Sequence, residues 1–291
     1  MSAAASSSAV LDDGEDDLLC AAAPSDTRAA LDCLFAEAAL SLGGFPVVAV
    51  HQLYAIIQNP TETDRELETL RLAHSLRVLR LPDFADNFLI MRADDFVQAV
   101  RTAAAAEEDA LAATALRAAA AALPRCTGLT VSAVELQAAL DGGGGGGGGE
   151  GSSTARAAAA CARLQRMGWL AGVPTPLRAG PDEAPAPANA EVWLWSYPLC
   201  GVLMVALRQC RAAVIGVLRK QRFDRAQRQL VERAPAVRTA LERTRLDLRC
   251  VLRDLIGKRL VSSTAAPGGT ILQLTAAGRQ SAHHDSKKRR R

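Results

Sequence analysis

The stretch LRCVLRDLIGKRLVSSTAAPGGTILQL, residues 248–274, decides the fold because its hydrophobic spacing changes once along its length. Its first part has apolar side chains at i, i+3, i+4 and i+7, the spacing of a helix with one buried face: Leu248, Val251, Leu252 and Leu255. Thr244 is predicted to cap this helix and Gly257 to end it. Two short apolar runs then flank a Pro-Gly-Gly turn at 267–269. The stretch therefore predicts a helix followed at once by a β-hairpin.

The same change from helix to hairpin occurs twice more upstream. A capping box at Thr63 and Glu66 starts a helix that gives way to a strand at Leu76, and Gly168 ends another helix as a left-handed cap. The three changes, at 76, 168 and 257, are 92 and 89 residues apart. Helices are also predicted ahead of these three changes, over 26–42, 47–58, 94–122, 130–140, 153–167, 200–220 and 223–234. The repeat predicts three similar units of about 90 residues.

Three helices followed by a two-stranded hairpin form the winged-helix variant of the helix-turn-helix. We therefore expect a mainly α chain with small β-hairpin wings, of class α+β, arranged as three tandem winged-helix domains. Composition sets the expected boundaries: a disordered acidic N-terminus 1–25, units 26–98, 99–197 and 198–276, and a disordered basic tail 277–291. Flexible insertions are predicted inside the second unit at 142–152, which contains a glycine run, and at 173–190.

Charge is strongly polarised along the chain. The formal net charge is −10 over residues 1–98, −2 over 99–206, +10 over 207–259 and +5 over 260–291. A chain polarised in this way is typical of proteins that bind a polyanion with their basic end. In the first unit the third helix carries Asp64, Glu66 and Glu68, which would repel phosphate. We interpret that unit as a protein-binding or packing unit.

The third unit carries the candidate DNA-binding residues. They lie at the junction of its first two helices, along its third helix, and at the start of its wing: Arg219, Lys220, Arg222, Arg225, Arg245, Arg249, Arg253, Lys258 and Arg259. Arg245, Arg249 and Arg253 are predicted to lie one turn apart along a recognition helix. These cations predict binding to duplex phosphates with little sequence preference and a steep salt dependence. A solvated arginine surface, partly paired with nearby carboxylates, is the alternative.

The basic run at the C-terminus predicts a nuclear localisation signal: Lys287, Lys288, Arg289, Arg290 and Arg291. A non-specific nucleic-acid tail or a plain solvated tail is the alternative. The N-terminus lacks the basic start and apolar run of a cleaved leader, and no uncharged stretch is both long enough and free of breakers to span a membrane. We therefore expect an intracellular protein of the nucleus with no membrane partner.

Catalytic and metal-binding patterns are absent from the sequence. The seven cysteines form no C-x-x-C pair and only four histidines are present, so neither a disulfide framework nor a zinc site is predicted. The glycine run follows no strand and precedes no lysine, which excludes a nucleotide-binding loop. Neither H-R-D nor D-F-G occurs. The sequence predicts a protein that is not an enzyme and needs no cofactor or metal.

Several segments resemble the family named serine/threonine-protein kinase 19. The segments that resemble its C-terminal unit are 218–223, 254–261 and 268–274, and those that resemble its first unit are 52–57, 63–67 and 86–91. The legacy name of that family claims a kinase. The resemblance implies instead tandem winged-helix proteins that bind DNA in the nucleus and act in transcription-coupled nucleotide excision repair. It further implies a bridge between the stalled-polymerase complex and the repair helicase factor. The matching basic positions are Arg219, Lys220 and Arg222.

These observations lead to one hypothesis and two rivals. The hypothesis is a non-enzymatic nuclear DNA-binding adaptor whose partners are double-stranded DNA and proteins of the stalled-polymerase repair complex. Whether two copies of the chain bind one duplex as a homodimer is left open by the sequence. The first rival is a winged-helix interaction scaffold without DNA binding. The second is the protein kinase of the legacy name, for which the chain shows no phosphate-transfer signature.

Overall fold

A computed structural model describes seven ranges of the chain: 25–37, 40–57, 59–80, 88–126, 128–141, 150–173 and 192–280. The predictions for the acidic start, the glycine run and most of the 173–190 insertion lie outside the described residues. The predicted disordered tail, 277–291, is described as far as residue 280, and its start was wrong: residues 276–280 are helical and Arg279 forms an ion pair with Asp224. The rest of that tail lies outside the described residues.

The first unit places five short strands among three helices. Its elements are α1 (Asp26–Glu37), β1 (Ser41–Leu42), β2 (Phe45–Pro46), β3 (Val48–Ala49), α2 (Val50–Tyr54), α3 (Pro60–Leu72), β4 (Leu76–Arg80) and β5 (Phe88–Arg92). Strands β1 and β2 form a ribbon whose turn residues, Gly43 and Gly44, have φ angles of +57° and +90°. Glycine suits this turn because it has no side chain to clash in the left-handed region.

The described part of the second unit contains four α-helices and three short strands. Its elements are α4 (Ala93–Ala106), α5 (Ala110–Ala122), a 3₁₀ turn (Leu123–Arg125), β6 (Thr130–Ser132), α6 (Ala133–Asp141), α7 (Glu150–Arg166), β7 (Leu170–Gly172) and β8 (Val192–Trp195). Gly168 follows α7 with φ +84°, which confirms its predicted role as a left-handed cap.

The third unit begins with the longest of the described helices. Its elements are α8 (Cys200–Arg219), a 3₁₀ turn (Arg222–Asp224), β9 (Arg225–Gln227), α9 (Arg228–Arg233), α10 (Pro235–Thr244), α11 (Leu248–Gly257), β10 (Val261–Ala266) and β11 (Gly269–Leu274). Strands β10 and β11 pair from Val261↔Leu274 to Ala266↔Gly269, which confirms the predicted hairpin around residues 267–268.

All three units share one sheet topology. A short strand that precedes the last helices of each unit pairs antiparallel with the last strand of the hairpin, giving the orders β3-β5-β4, β6-β8-β7 and β9-β11-β10. The predicted mainly helical chain of class α+β with small hairpins is confirmed. The short third strand of each sheet was not predicted, because two or three residues are too few to show the period of two that marks a strand.

Several predicted helix boundaries were wrong. Helix α1 ends at Glu37 and not near residue 42, because the β1–β2 ribbon begins at Ser41. The predicted 47–58 helix is only the five residues of α2 and follows β3. The predicted 94–122 helix is two helices, separated where the Asp109 carboxylate accepts a hydrogen bond from the Leu111 amide at 2.9 Å. Helix α7 begins at Glu150, within the insertion predicted over 142–152.

Two predicted caps were also wrong. Helix α3 begins at Pro60, and the Asn59 side chain accepts a hydrogen bond from the Glu62 amide at 3.3 Å. Thr244 is the last residue of α10, where its hydroxyl donates to the Ala240 carbonyl at 2.8 Å. Asp247 caps α11 instead, by accepting from the Arg249 amide at 2.8 Å. Helix α10 was missed entirely, although Pro235 at its first turn is a typical helix start.

A continuous apolar core joins the three units. Four aromatic side chains of the second unit form an edge-to-face cluster with ring centroids 5.0–6.3 Å apart: Phe96, Trp169, Trp195 and Tyr197. Tyr197 also contacts the first unit, since a Cβ on Gly43 would lie 2.6 Å from the tyrosine hydroxyl. Nearby, the buried Arg77 of β4 donates to the backbone carbonyl oxygens of Leu123 and Gly128. The units are therefore packed against one another.

Helix α8 is long and apolar enough to cross a membrane by length and composition, with 20 residues and a mean hydropathy of 1.6. Packing explains part of this composition, because Leu207, Val214 and Leu218 are completely buried in the shared core. The helix also carries Arg211, which forms an ion pair with Asp254, itself 0% exposed. These contacts are typical of the central helix of a folded unit.

Candidate nucleic-acid interface

The structure divides the nine predicted DNA-binding residues among four places. Arg219, Lys220, Arg222 and Arg225 lie together where α8 passes into β9, and we call these four residues the basic turn. Arg249 and Arg253 lie on α11, Arg245 follows α10, and Lys258 and Arg259 follow α11. Of the nine, the first four are therefore brought together by one tight connection.

The basic turn is held on both sides by buried structure. Helix α8 ends at Arg219 one residue after the completely buried Leu218, and Ala226 of β9 pairs with the buried Leu272. Within the turn, the Asp224 amide donates to the Gln221 carbonyl at 3.1 Å. The Asp224 carboxylate binds Arg279 at 3.0 Å, from the segment that follows β11. The backbone carrying the cations is thus fixed to the core of the third unit.

The four cations of the basic turn are exposed and face no carboxylate partner. Within the described ranges, no Asp or Glu forms an ion pair with any of them. The one acid inside the turn, Asp224, is engaged by Arg279. A cluster of uncompensated cations on a fixed backbone attracts anions and releases their counterions on binding.

Phe223 sits in the middle of the basic turn, and the sequence analysis did not select it. Its side chain is 61% exposed, and the guanidinium carbons of Arg222 and Arg225 lie 4.8 Å and 5.5 Å from its ring centroid. Phe223 and Asp224 have φ angles of +61° and +52°. The signal available in the sequence was one aromatic residue inside the charged run Gln221–Arg225, where no core position is expected.

A groove of about 640 Å³ lies beside the basic turn, between the end of α8, β9 and α9. Its polar lining residues are Lys220, Arg233 and three glutamines, and no acidic residue lines it: Gln221, Gln227 and Gln229 supply the amides. Leu230 on its wall is 46% exposed. Amide and cationic groups together suit phosphates and the polar edges of bases.

Helix α11, the predicted recognition helix, packs against two other helices, and its role in DNA binding stays a prediction. Its residues are buried on more than one face, because α8 covers it on one side and α2 of the first unit on another. Arg211 pairs with the buried Asp254, and the Gln52 amide lies 3.0 Å from the Cys250 thiol. A Cβ on Gly257 would lie 1.7 Å from the His51 carbonyl oxygen. A helix covered in this way leaves only one narrow stripe open, at Arg249, Arg253 and Ile256.

The arginines predicted along α11 are also used differently. Arg245 is not on the helix at all, because it forms the left-handed end of α10 with φ +56°. Arg253 donates two hydrogen bonds to the Glu37 carboxylate, at 2.5 and 3.0 Å, and Arg249 lies 3.9 Å from the same carboxylate. The Arg253 guanidinium lowers the pKa of Glu37 below its usual range. Sequence reasoning missed this pair because its partners are 216 residues apart.

Lys258 and Arg259 lie at the junction of the first and third units. They line a groove of about 740 Å³ whose walls include the apolar residues Ile56, Ile256 and Leu260. Helix α11 ends at Gly257 as predicted, and the exposed Arg259 takes the left-handed position after it, with φ +55°. Gly257 is required for a different reason, the close approach of the His51 carbonyl.

The part of the chain that the structure describes holds no group of three or more His, Cys, Asp or Glu placed to bind a metal. The Cys200 and Cys250 thiols are poor nucleophiles, because burial raises the pKa of each to about 12. Within the same ranges six cysteines are unpaired. The arrangement therefore offers a charged binding surface more readily than a reaction centre.

Taken together, the topology and this surface define an α+β protein of three repeated units with an exposed cationic turn in the last one. The chain belongs to the family described as inactive serine-threonine protein kinase 19, whose family model matches residues 25–274. This confirms the resemblance found in the sequence. The word inactive in that description agrees with the absence of a kinase signature. No curated protein matches the chain significantly.

Proposed function

We propose that the three units are winged helices and that the chain is a non-enzymatic nuclear adaptor that binds duplex DNA. Each unit contains a helix, then a short strand, then two or three helices and a hairpin, which resembles the order of elements in a winged helix. The single observation that carries the proposal is the basic turn, because its four exposed cations have no carboxylate partner among the described residues.

The basic turn is the centre of the proposed interface, and the other predicted residues extend it to different degrees. Arg219, Lys220, Arg222 and Arg225 bind phosphates, and Arg233 in the neighbouring groove adds a fifth cation. The exposed Arg245 and Arg259, together with Arg249 and Lys258, contribute through the field of the whole basic unit. Arg253 is assigned to Glu37 and contributes least.

We place this activity in transcription-coupled nucleotide excision repair, the setting that the family resemblance implies. The first unit would meet the protein partners of the stalled-polymerase complex with α3, where Glu62, Asp64 and Leu72 are exposed. The basic run Lys287–Arg291 would direct import into the nucleus. DNA and protein partners would then occupy opposite charge regions of one chain.

The test is a salt titration of fluorescent-duplex binding by the full chain. Four phosphate contacts predict a slope of log K against log salt of roughly −3 to −4, since each contributes about −0.9. The triple variant Arg219→Glu, Lys220→Glu and Arg222→Glu should lose duplex binding by about a hundredfold or more at low salt while keeping its thermal unfolding temperature. A flat salt response of the unmodified chain would contradict the proposal.

The matched control reverses three exposed arginines of the second unit instead: Arg101→Glu, Arg117→Glu and Arg125→Glu. Both triple variants change the net charge by the same amount, so a difference between them reports position and not total charge. Equal loss in both would show that duplex binding depends on overall charge and would reject the basic turn as the interface.

A protein-interaction scaffold is the second candidate, and the groove between the first and third units favours it. Ile56 is 43% exposed at that groove, where apolar and cationic side chains lie side by side. A stable protein complex formed by a chain that binds no duplex would support the scaffold over the DNA-binding adaptor.

A further inference from the structure

We propose that Phe223 is a wedge that enters an interrupted base step, so that the third unit prefers duplex DNA with a nick or an unpaired base over continuous duplex. This inference rests on the proposed DNA-binding function and assigns a role to a residue outside the predicted site. It names the class of DNA that the basic turn would select.

The backbone holds Phe223 away from the core. Left-handed φ angles are unusual for a bulky residue, and here Phe223 and Asp224 adopt them in succession, at +61° and +52°. Every other described aromatic side chain is buried or half-buried, whereas Phe223 is 61% exposed. The turn is kept in this conformation by the Asp224–Arg279 ion pair and by the pairing of β9 with β11. An exposed apolar side chain is thus presented on a strained but anchored backbone.

The charges around Phe223 indicate a polyanion as the occupant. Arg222 and Arg225 lie over the ring, and Arg219 and Lys220 stand four and three residues before it in the chain. Cation–π contacts of this kind are weak at exposed sites, so the guanidinium groups can exchange the ring for phosphates at low cost. Apolar wedges flanked by arginine or lysine are a recurring way in which proteins enter DNA between bases. An acidic peptide is the competing occupant, and the experiment below includes it.

The wedge predicts a preference for interrupted duplex for an energetic reason. Insertion into continuous duplex must first unstack a base step, and that cost is smaller where the stack is already broken by a nick or an unpaired base. The phosphates that the cations contact are the same in both DNAs. The basic turn therefore supplies affinity for both DNAs, and Phe223 supplies the difference in affinity between interrupted and continuous duplex.

The experiment compares the binding of the full chain to three fluorescent duplexes of one sequence: continuous, nicked, and carrying one unpaired base. The unmodified chain should bind the two interrupted duplexes about tenfold more tightly than the continuous one. Phe223→Ala should reduce that preference to within about twofold and leave the affinity for continuous duplex nearly unchanged. Phe223→Trp should keep the preference. The control is Leu111→Ala, which removes another exposed apolar side chain, 61% exposed on α5.

A second readout follows the bases directly. With 2-aminopurine next to the interruption, the unmodified chain should raise its fluorescence by unstacking it further, and Phe223→Ala should not. If Phe223 were only a structural residue, Phe223→Gly would lower the unfolding temperature. We expect the opposite, an unchanged or raised unfolding temperature with loss of the preference, because glycine adopts φ +61° without strain.

The outcomes separate this inference from the function on which it rests. Equal binding of all three duplexes by the unmodified chain would overturn the wedge and leave duplex binding standing. Absence of binding to any duplex would overturn the proposed function itself. Tight binding of an acidic peptide that Phe223→Ala abolishes, without any duplex preference, would assign Phe223 to a protein partner and overturn the wedge.

Discussion

The basic turn and helix α11 are two arginine-rich regions of the same unit with opposite roles in the structure. Arg219, Arg222 and Arg225 are exposed without carboxylate partners in the described ranges, whereas Arg253 binds Glu37 of the first unit. Both regions have the same kind of composition, and the difference lies in what packs beside them. Local charge density therefore identifies candidate binding surfaces, but neighbouring units decide which of them stays available.

The largest effect is expected from a substitution that separates α11 from the first unit. Gly257→Ala would place a Cβ 1.7 Å from the His51 carbonyl oxygen, a backbone atom that cannot rotate away. We expect destabilisation of about 3 kcal/mol or more and a fall in the unfolding temperature of roughly 6 °C or more. Scanning calorimetry measures both.

The matched control for that change is Gly216→Ala in α8, where an added Cβ meets no atom within 4 Å. Since alanine is the better helix former, this variant should gain about 0.5–1 kcal/mol. If Gly257→Ala were equally harmless, the contact between α11 and α2 would not be a constraint on the fold.

Charge reversal at one arginine of each region should give effects of intermediate size that distinguish the two regions. Arg253→Glu should lower stability by about 1–2 kcal/mol because it sets two carboxylates against each other, and it should change duplex affinity by less than about threefold. Arg222→Glu should do the reverse, with about tenfold weaker duplex binding and unchanged stability. Thermal unfolding and fluorescence anisotropy, run on the same samples, separate the two effects.

The companion variant combines Arg253→Glu with Glu37→Arg. Restoring opposite charges at the same positions should recover more than half of the lost stability, which a double-mutant cycle measures as coupling between the two residues. Additive losses would mean that the Glu37–Arg253 contact does not hold the units together.

The smallest expected effect is the pH dependence of that same contact. Arg253 lowers the pKa of Glu37 in the folded chain, so the contribution of Glu37 to stability is complete above its ordinary value of 4.5. It is lost as the pH falls through the lowered pKa. Glu37→Gln should remove about 0.5–1 kcal/mol at pH 7 and make the acid branch of the stability curve less steep. A curve of unchanged shape would contradict the assignment.

The sequence predicted the parts of this fold that repeat locally. The hairpins at 76–92 and 261–274 and the cap at Gly168 follow from patterns within a few residues. The short strands β3, β6 and β9 could not be predicted, because their pairing partners lie far along the chain. Charge clustering likewise located the basic turn, but the Glu37–Arg253 pair and the exposure of Phe223 depend on how whole units meet.

The close approaches of Gly43 to Tyr197, and of Gly257 to His51, join the first unit to the other two. A ligand held at the α8–β9 connection and another held on α3 would consequently keep a constant separation and a constant angle. The chain would then hold its two ligands at a fixed distance. A flexible linker introduced between the units would weaken simultaneous binding of both ligands even with every contact residue intact.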